Sequence, residues 1–178
     1  MNSLLLKALV NIPEINPGTD IADIIFTNIQ TENISVKNGD IFVIAQKIIS
    51  KAENRYIKLS NIEPSNEALS LAKEVDKTAE FIQVILDESN KIISSTNNML
   101  ITEHRLGFTN INAGIDQSNI PQKNNLALLL PKDPSNSAKK LGISLSKALN
   151  KNISVIISDS MTRPVSYTHL TLPTKRIV

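Results

Sequence analysis

Apolar residues recur at helical spacing from Ile21 to Gln30, where Ile21, Ile24, Ile25 and Ile29 fall on one face. Thr19 or Asp20 stands where the N-cap is needed, and Asp20 and Asp23 place acidic charge in the first turn. Pro64-Ser65 predicts a second helix capped by Ser65, with Ala68, Leu69 and Ala72 along one face. Thr78 caps a third, in which Phe81, Ile82, Ile85 and Leu86 make the apolar stripe. Asp133-Pro134 opens a fourth, with proline near its first position, that runs to about Asn150. Gln46 to Ala52 reads as a short helix or turn.

Between these lie short apolar runs. Leu4 to Val10, broken by Lys7, predicts a strand, followed by a turn at Pro13, Pro17 and Gly18. Asn38-Gly39-Asp40 is a turn signal, and Ile41–Ile44 after it reads as a buried strand. Tyr56–Leu59 is a further extended piece. Lys91–Ser95 and Met99–Thr102 read as neighbouring strands across an Asn97-Asn98 turn, with Phe108–Asn112, Leu126–Leu130 and Ile153–Ser158 following. The order lacks the strict strand–helix alternation and the Gly-rich first turn of a dinucleotide-binding unit. The expected class is therefore α+β, with mixed sheets and flanking helices.

Composition narrows the function classes. The 178 residues are 41% hydrophobic, enough for a core, but only 3% aromatic, so Ile, Leu, Val and Ala must build it. The length suits one domain or one and a half. Cysteine is absent, which removes disulfides, thiolate metal sites and Cys nucleophiles and fits a cytoplasmic protein. The formal net charge is +2 with dispersed basic residues, and there is no Trp and only two Tyr, so nucleic acid is not an expected partner. Leu4–Leu6 and Leu126–Leu130 are too short to span a bilayer, and the start lacks the pattern of a secretory signal.

Three constellations have chemical potential. Asn112-Ala-Gly-Ile-Asp116-Gln-Ser-Asn119 sets a carboxylate in a polar turn, and Val155-Ile-Ile-Ser-Asp159-Ser160 ends an apolar run on another. Brought together, the two aspartates would make a hard oxygen site for a divalent cation. Taken alone, Asp116 is ordinarily accounted for as a turn former and Asp159 as a helix cap. In Val43-Ile-Ala-Gln46-Lys47-Ile-Ile-Ser50-Lys51, a helix puts Lys47 and Lys51 on one face, suited to a polyphosphate. The alternative is two solvated lysines on an exposed face. In Glu103-His104-Arg105, His104 is a candidate base or phosphate contact, against strand-end polar residues paired with one another or with solvent.

Taken together, these stretches resemble the coenzyme F(420):L-glutamate ligase family. The resemblance rests on Ile12-Pro-Glu-Ile-x-Pro-Gly-x-Asp20, Asn38 through Glu53, Pro64-Ser65, Glu88-Ser89, Glu103 through Phe108, Asn112 through Asn119, Leu129 through Pro134 and Ile157 through Ser160. These are collinear and cover nearly all of residues 9–164. The resemblance implies a GTP-dependent ligase that activates the terminal carboxylate of the F(420) precursor as an acyl phosphate and joins it to L-glutamate. It implies Mg or Mn bridging the phosphates, and a homodimer at full length. Residue by residue, it makes Asp116 and Asp159 catalytic metal ligands and puts Ser160 on a second metal. It places Ile12, Pro13, Glu14, Ile15, Gln46, Lys47, Lys51 and Asn119 at the GTP site. An NTP-dependent ligase for another carboxylate and a non-catalytic nucleotide- or metal-binding remnant are the alternatives.

The resemblance weakens at Thr162, where the family has glycine, and stops after Pro164. Residues 1–164 are thus expected to be the N-terminal part of the ligase domain, an incomplete ligase-like fold. Residues 165–178 are expected to be a non-native tail, and the chain to be inactive without the family's C-terminal section. The tail carries Lys175 and Arg176 and no acid, so it accounts for the net positive charge.

Overall fold

The computed structural model describes residues 4–96, 99–117 and 125–159. In chain order the elements are α1 (Ile21–Thr31), β1 (Ile41–Ala45), α2 (Gln46–Ala52), β2 (Tyr56–Lys58), α3 (Asn66–Val75), α4 (Ala79–Asp87), β3 (Ser89–Thr96), β4 (Met99–His104), β5 (Thr109–Ile111), β6 (Leu126–Leu128), α5 (Pro134–Leu149) and β7 (Ser154–Ser158). Single 3-10 turns lie at Leu59–Asn61 and Asn112–Gly114. The mixture is α+β, as expected. The described residues divide into two compact units, one of residues 4–57 and 128–159, the other within 58–127.

In the first unit, Asp20 caps α1 by accepting from the Asp23 amide at 3.1 Å, and Asp133 caps α5 by accepting from the Asn136 amide at 2.9 Å. The turn at Asn38–Asp40 holds the ends of two strands together. Gly39 N donates to Asn152 O at 2.8 Å, Ser154 N to Asp40 O at 3.0 Å, and Asn152 N to Asn38 Oδ1 at 2.8 Å. β1 and β7 then pair in parallel, Ile41 opposite Ser154 through Ala45 opposite Ser158. Strand alternation turns Phe42, Ile44, Val155 and Ile157 toward a core built of Ile15, Ile21, Ile25, Ile29, Ile49, Leu141, Leu145 and Ile153.

The expectation of a buried strand at Ile41–Ile44 is only half met. Ile41 and Val43 remain 58% and 65% exposed. Parallel strands are usually covered on both faces, but here the core covers one. Leu4–Val10 is not a strand. Leu4, Leu5 and Leu6 are exposed, and the segment is tied by Val10 N donating to Glu32 Oε1 at 3.3 Å. An apolar run becomes a strand only beside a backbone edge that can satisfy its amides and carbonyls.

In the second unit, Ser65 caps α3 and Thr78 caps α4, each hydroxyl accepting from the amide three residues on. The ring of Phe81 and the side chains of Ile82, Val84 and Ile85 are buried. Ala68, Ala72 and Val75 form the buried row of α3, whereas Leu69 is 44% exposed. The row follows i, i+4, i+7 spacing, which leaves Leu69 at its margin. β3, β4 and β5 make an antiparallel sheet, with Thr102 opposite Ile92 on one side and Asn110 on the other. On β4, Leu100, Thr102 and His104 all face inward and are fully buried.

Replacing the fully buried Ile82 by Ala should cost about 2–5 kcal/mol, as large-to-small core substitutions do. Leu69→Ala should cost less than about 1 kcal/mol because much of its side chain already meets water. Urea midpoints of the two variants check the difference.

Candidate functional site

The segment 12–15 owes its shape to the two isoleucines at its ends. Ile15 is buried in the first unit's core and Ile12 packs against its edge, which turns Pro13 and Glu14 outward. The loop after it is fixed by Asn16 N donating to Thr19 Oγ1 at 3.1 Å and by Gly18 N donating to Ala52 O at 2.8 Å. Gly18 has φ +81°, a conformation that glycine adopts without steric penalty. The second of these bonds moors the loop to the end of α2, whose Lys51 ammonium pairs with the Glu14 carboxylate. Two segments expected at the nucleotide therefore meet in the first unit.

Helix α2 begins directly after β1. Ala45 occupies its N-cap without a side-chain hydrogen bond. Gln46 is buried, and its Oε1 accepts from the Ser50 hydroxyl at 2.9 Å, which fixes the orientation of the amide. The picture of two solvated lysines does not hold. Lys47 is half-buried, and the Lys51 side chain is only 13% exposed. The methylenes of Lys51 are covered while its charged head reaches an exposed carboxylate, the usual compromise of a long cationic side chain.

In the second unit, β5 runs directly into the turn that precedes Asp116. Asn112, Ala113 and Gly114 all have left-handed backbone, with φ of 50°, 52° and 69°. The Asn112 carbonyl accepts from Ile115 N at 3.0 Å, and its side-chain Oδ1 accepts from Leu100 N on β4 at 3.1 Å. Ala113 is fully buried and Ile115 nearly so, while Asp116 is half-buried. Asp159, in the first unit, is exposed just past the end of β7. Asn119 and Ser160 lie outside the described residues, as does the expected boundary at 164.

His104 resolves toward the structural alternative. Its ring is fully buried and stacks on Phe108, centroids 5.0 Å apart. Nδ1 accepts from Leu106 N at 3.0 Å, which leaves Nε2 as the ring's donor. Nε2 lies 3.4 Å from Glu88 Oε2, within ion-pair reach but without hydrogen-bond alignment. The same Glu88 oxygen accepts from Arg105 Nε at 2.8 Å, and Glu88 O accepts from Arg105 N at 2.9 Å. These residues bind the C-terminal end of α4 to the turn between β4 and β5. Sequence reasoning missed Glu88 as the hub of that turn and Asn112 as the anchor of the next. Asparagine in a polar turn was the available signal for the second.

Carboxylate and hydroxyl oxygens are the hard donors that Mg2+ and Mn2+ prefer, so Asp116, Asp159 and Ser160 suit such a cation by donor chemistry. Among the described residues no three His, Cys, Asp or Glu side chains gather as a metal cluster. No helix among them is long and apolar enough to cross a membrane. On the neighbouring strands β3 and β4, Glu103 is held below the usual glutamate range. Its hydrogen bond from Lys91 is the main cause, then that from Asn90, then the charge of Lys91.

The family model for F(420)-0:gamma-glutamyl ligase matches residues 9–173. A coenzyme F(420):L-glutamate ligase of Methanothermobacter thermautotrophicus is 40% identical over 159 residues, covering 89% of this chain and 62% of the relative. One of Methanocaldococcus jannaschii is 43% identical over 129 residues, covering 72% and 51%. One of Methanosarcina acetivorans is 40% identical over 156 residues, covering 88% and 58%. The chain thus spans between 51% and 62% of the length of these relatives.

A carboxylate with a lowered folded-state pKa stabilises the fold above its unfolded pKa, and that contribution is lost as pH falls through the lowered value. Lys91→Ala should therefore move the Glu103 midpoint up toward the ordinary range. Carboxyl 13C NMR titration of both proteins reads the shift directly.

Proposed function

The chain belongs to the F(420)-0:gamma-glutamyl ligase family, and from that premise we propose that it is part of a GTP- and divalent-metal-dependent ligase that joins L-glutamate to the F(420) precursor. What supports the reading is the meeting of the 12–15 loop with α2 through Glu14 and Lys51. It brings together two segments far apart in sequence that both fall at the nucleotide under the family assignment.

A carboxylate is a poor electrophile toward an amine, so the reaction needs an activated acyl group. An oxygen of the precursor's carboxylate attacks the γ-phosphorus of GTP, and GDP leaves. The glutamate amine then attacks the acyl carbon, inorganic phosphate leaves, and a proton is lost as the amide forms. Negative charge spreads over the phosphoryl oxygens as they transfer, and cations placed there lower the barrier. When bound, Mg2+ or Mn2+ supplies such charge and orients the phosphates.

In this proposal Lys51 and Lys47 offer cationic charge to the nucleotide's phosphates. Ser50 orients the Gln46 amide, and the loop from Ile12 through Ile15 packs on the nucleotide with its apolar side chains anchored in the core. Asp116 and Asp159 would each serve as metal ligands, Ser160 would contact a second metal, and Asn119 would contact the nucleotide. A homodimer and a cytoplasmic location belong to the same proposal.

In the full-length protein, Asp116→Asn and Asp159→Asn should each abolish metal-dependent GTP turnover while far-UV circular dichroism stays native. Retention of activity at the wild-type metal requirement would sink the assignment. Lys51 separates charge from packing. Lys51→Met keeps the covered stem, so it should leave the melting temperature nearly unchanged. Losing one charge-assisted contact should weaken GTP binding by about tenfold or more. Lys51→Ala should lower both quantities, as calorimetric titration and thermal unfolding will read.

A further inference from the structure

The backbone between β5 and Asp116 is costly. Three successive residues take the left-handed conformation, and two of them carry a Cβ. Such a conformation costs roughly 1–2 kcal/mol for an ordinary L-residue and less for asparagine. Ala113 has no local polar group to offset it, and its burial leaves no room to turn the methyl outward. The conformation persists because its surroundings over-determine it. Asn112 is the centre of that constraint. Its Oδ1 takes the Leu100 amide of β4 and its carbonyl takes the amide of Ile115, so one residue ties the turn to the sheet and closes it. Ile115 packs inward on the far side of the turn. Asp116 therefore leaves a backbone whose direction is set before any ligand arrives.

A turn that needed only to end β5 could use the commoner right-handed conformations at no such cost. We infer that Asn112 is a positioning residue that aims the Asp116 carboxylate at its cation, an inference that rests on the proposed metal role of Asp116. Groups behind the direct ligands commonly matter this much, because a carboxylate free to swing gives up affinity to hold one orientation.

The test is the affinity of the full-length protein for Mn2+ alone, read by electron paramagnetic resonance without nucleotide or turnover. Asn112→Gly keeps access to the left-handed conformation and removes the acceptor, and should weaken Mn2+ binding about 10-fold or more. Asn112→Asp keeps both the acceptor and the tolerance for positive φ, and should restore binding to at least the wild-type level. A merely structural role would shift the melting temperature of Asn112→Gly and leave the Mn2+ affinity of its folded fraction unchanged. That result overturns the inference, as does failure of Asn112→Asp to restore binding. Asp116→Asn is the control. If it weakens Mn2+ binding while Asn112→Gly does not, positioning fails and the ligand role stands. If Asp116→Asn binds Mn2+ as the wild type does, the ligand role fails and the positioning role with it. Should Asn112→Gly not fold, Asn112→Ser replaces it. Its shorter side chain takes the acceptor out of reach of the Leu100 amide, so weaker Mn2+ binding is expected and unchanged binding overturns the inference.

Discussion

A backbone amide buried in a sheet must find an acceptor, and the amide of Leu100 finds it in a side chain. Leu100 is fully buried on β4, and its amide bonds to Asn112 Oδ1 at 3.1 Å. An unmade bond there would cost on the order of 1–3 kcal/mol. That requirement sets the path of the chain from β5 to Asp116. It fixes the asparagine, the asparagine fixes the left-handed turn, and the turn fixes where the carboxylate emerges. The other end of β5 is held in the same manner by His104 and Glu88. Their polar groups serve the turn of residues 104–108, where His104 N donates to Phe108 O at 2.8 Å. Asn112, His104 and Glu88 thus hold the ends of short strands that would otherwise fray.

The first unit meets its constraints with branched aliphatics. With few aromatics available, isoleucines at positions 21, 25 and 29 supply one helical face and those at 15, 44, 49 and 153 close around it. Branched side chains are stiff, so such a core positions backbone well where the strands and helices are short. Ile12 and Ile15 extend that stiffness into a segment without regular structure. The loop's outward residues, Pro13 and Glu14, thereby acquire a defined place although no ladder holds them.

The helices were the most legible part of the sequence. Ser65 and Thr78 cap the helices they were expected to cap, Asp20 is the one of two candidates that caps α1, and Asp133 caps the helix it was expected to open, because a cap is a local bond between near neighbours. The antiparallel strands around Asn97-Asn98 were legible for the same reason. Long-range consequences were not. Whether Leu4–Val10 joins a sheet depends on a partner edge that its own residues do not encode. Whether β1 is covered on one face or two depends on what lies above it. The covered stem of Lys51 could not be read from a four-residue spacing. Nor could the left-handed backbone at Ala113, since alanine has no intrinsic preference for it. The tie of Asn112 to the Leu100 amide and the role of Glu88 in the turn after β4 join residues far apart in sequence, which no local pattern encodes.

Under the proposed nucleotide role of Lys51, its ion pair with Glu14 need not oppose the ligand. Glu14 is 75% exposed, so most of its charge is already solvated, and such pairs contribute about 0–1 kcal/mol. Releasing Glu14 to water therefore costs little. Lys51 is different, because its stem is covered and its head has few directions open to it. The pair holds the ammonium extended toward the 12–15 loop at small energetic cost. A phosphate that carries more negative charge than one carboxylate gains more from the same cation and can take its place. In that proposal the carboxylate keeps the ammonium oriented before a nucleotide binds, without holding it tightly enough to compete.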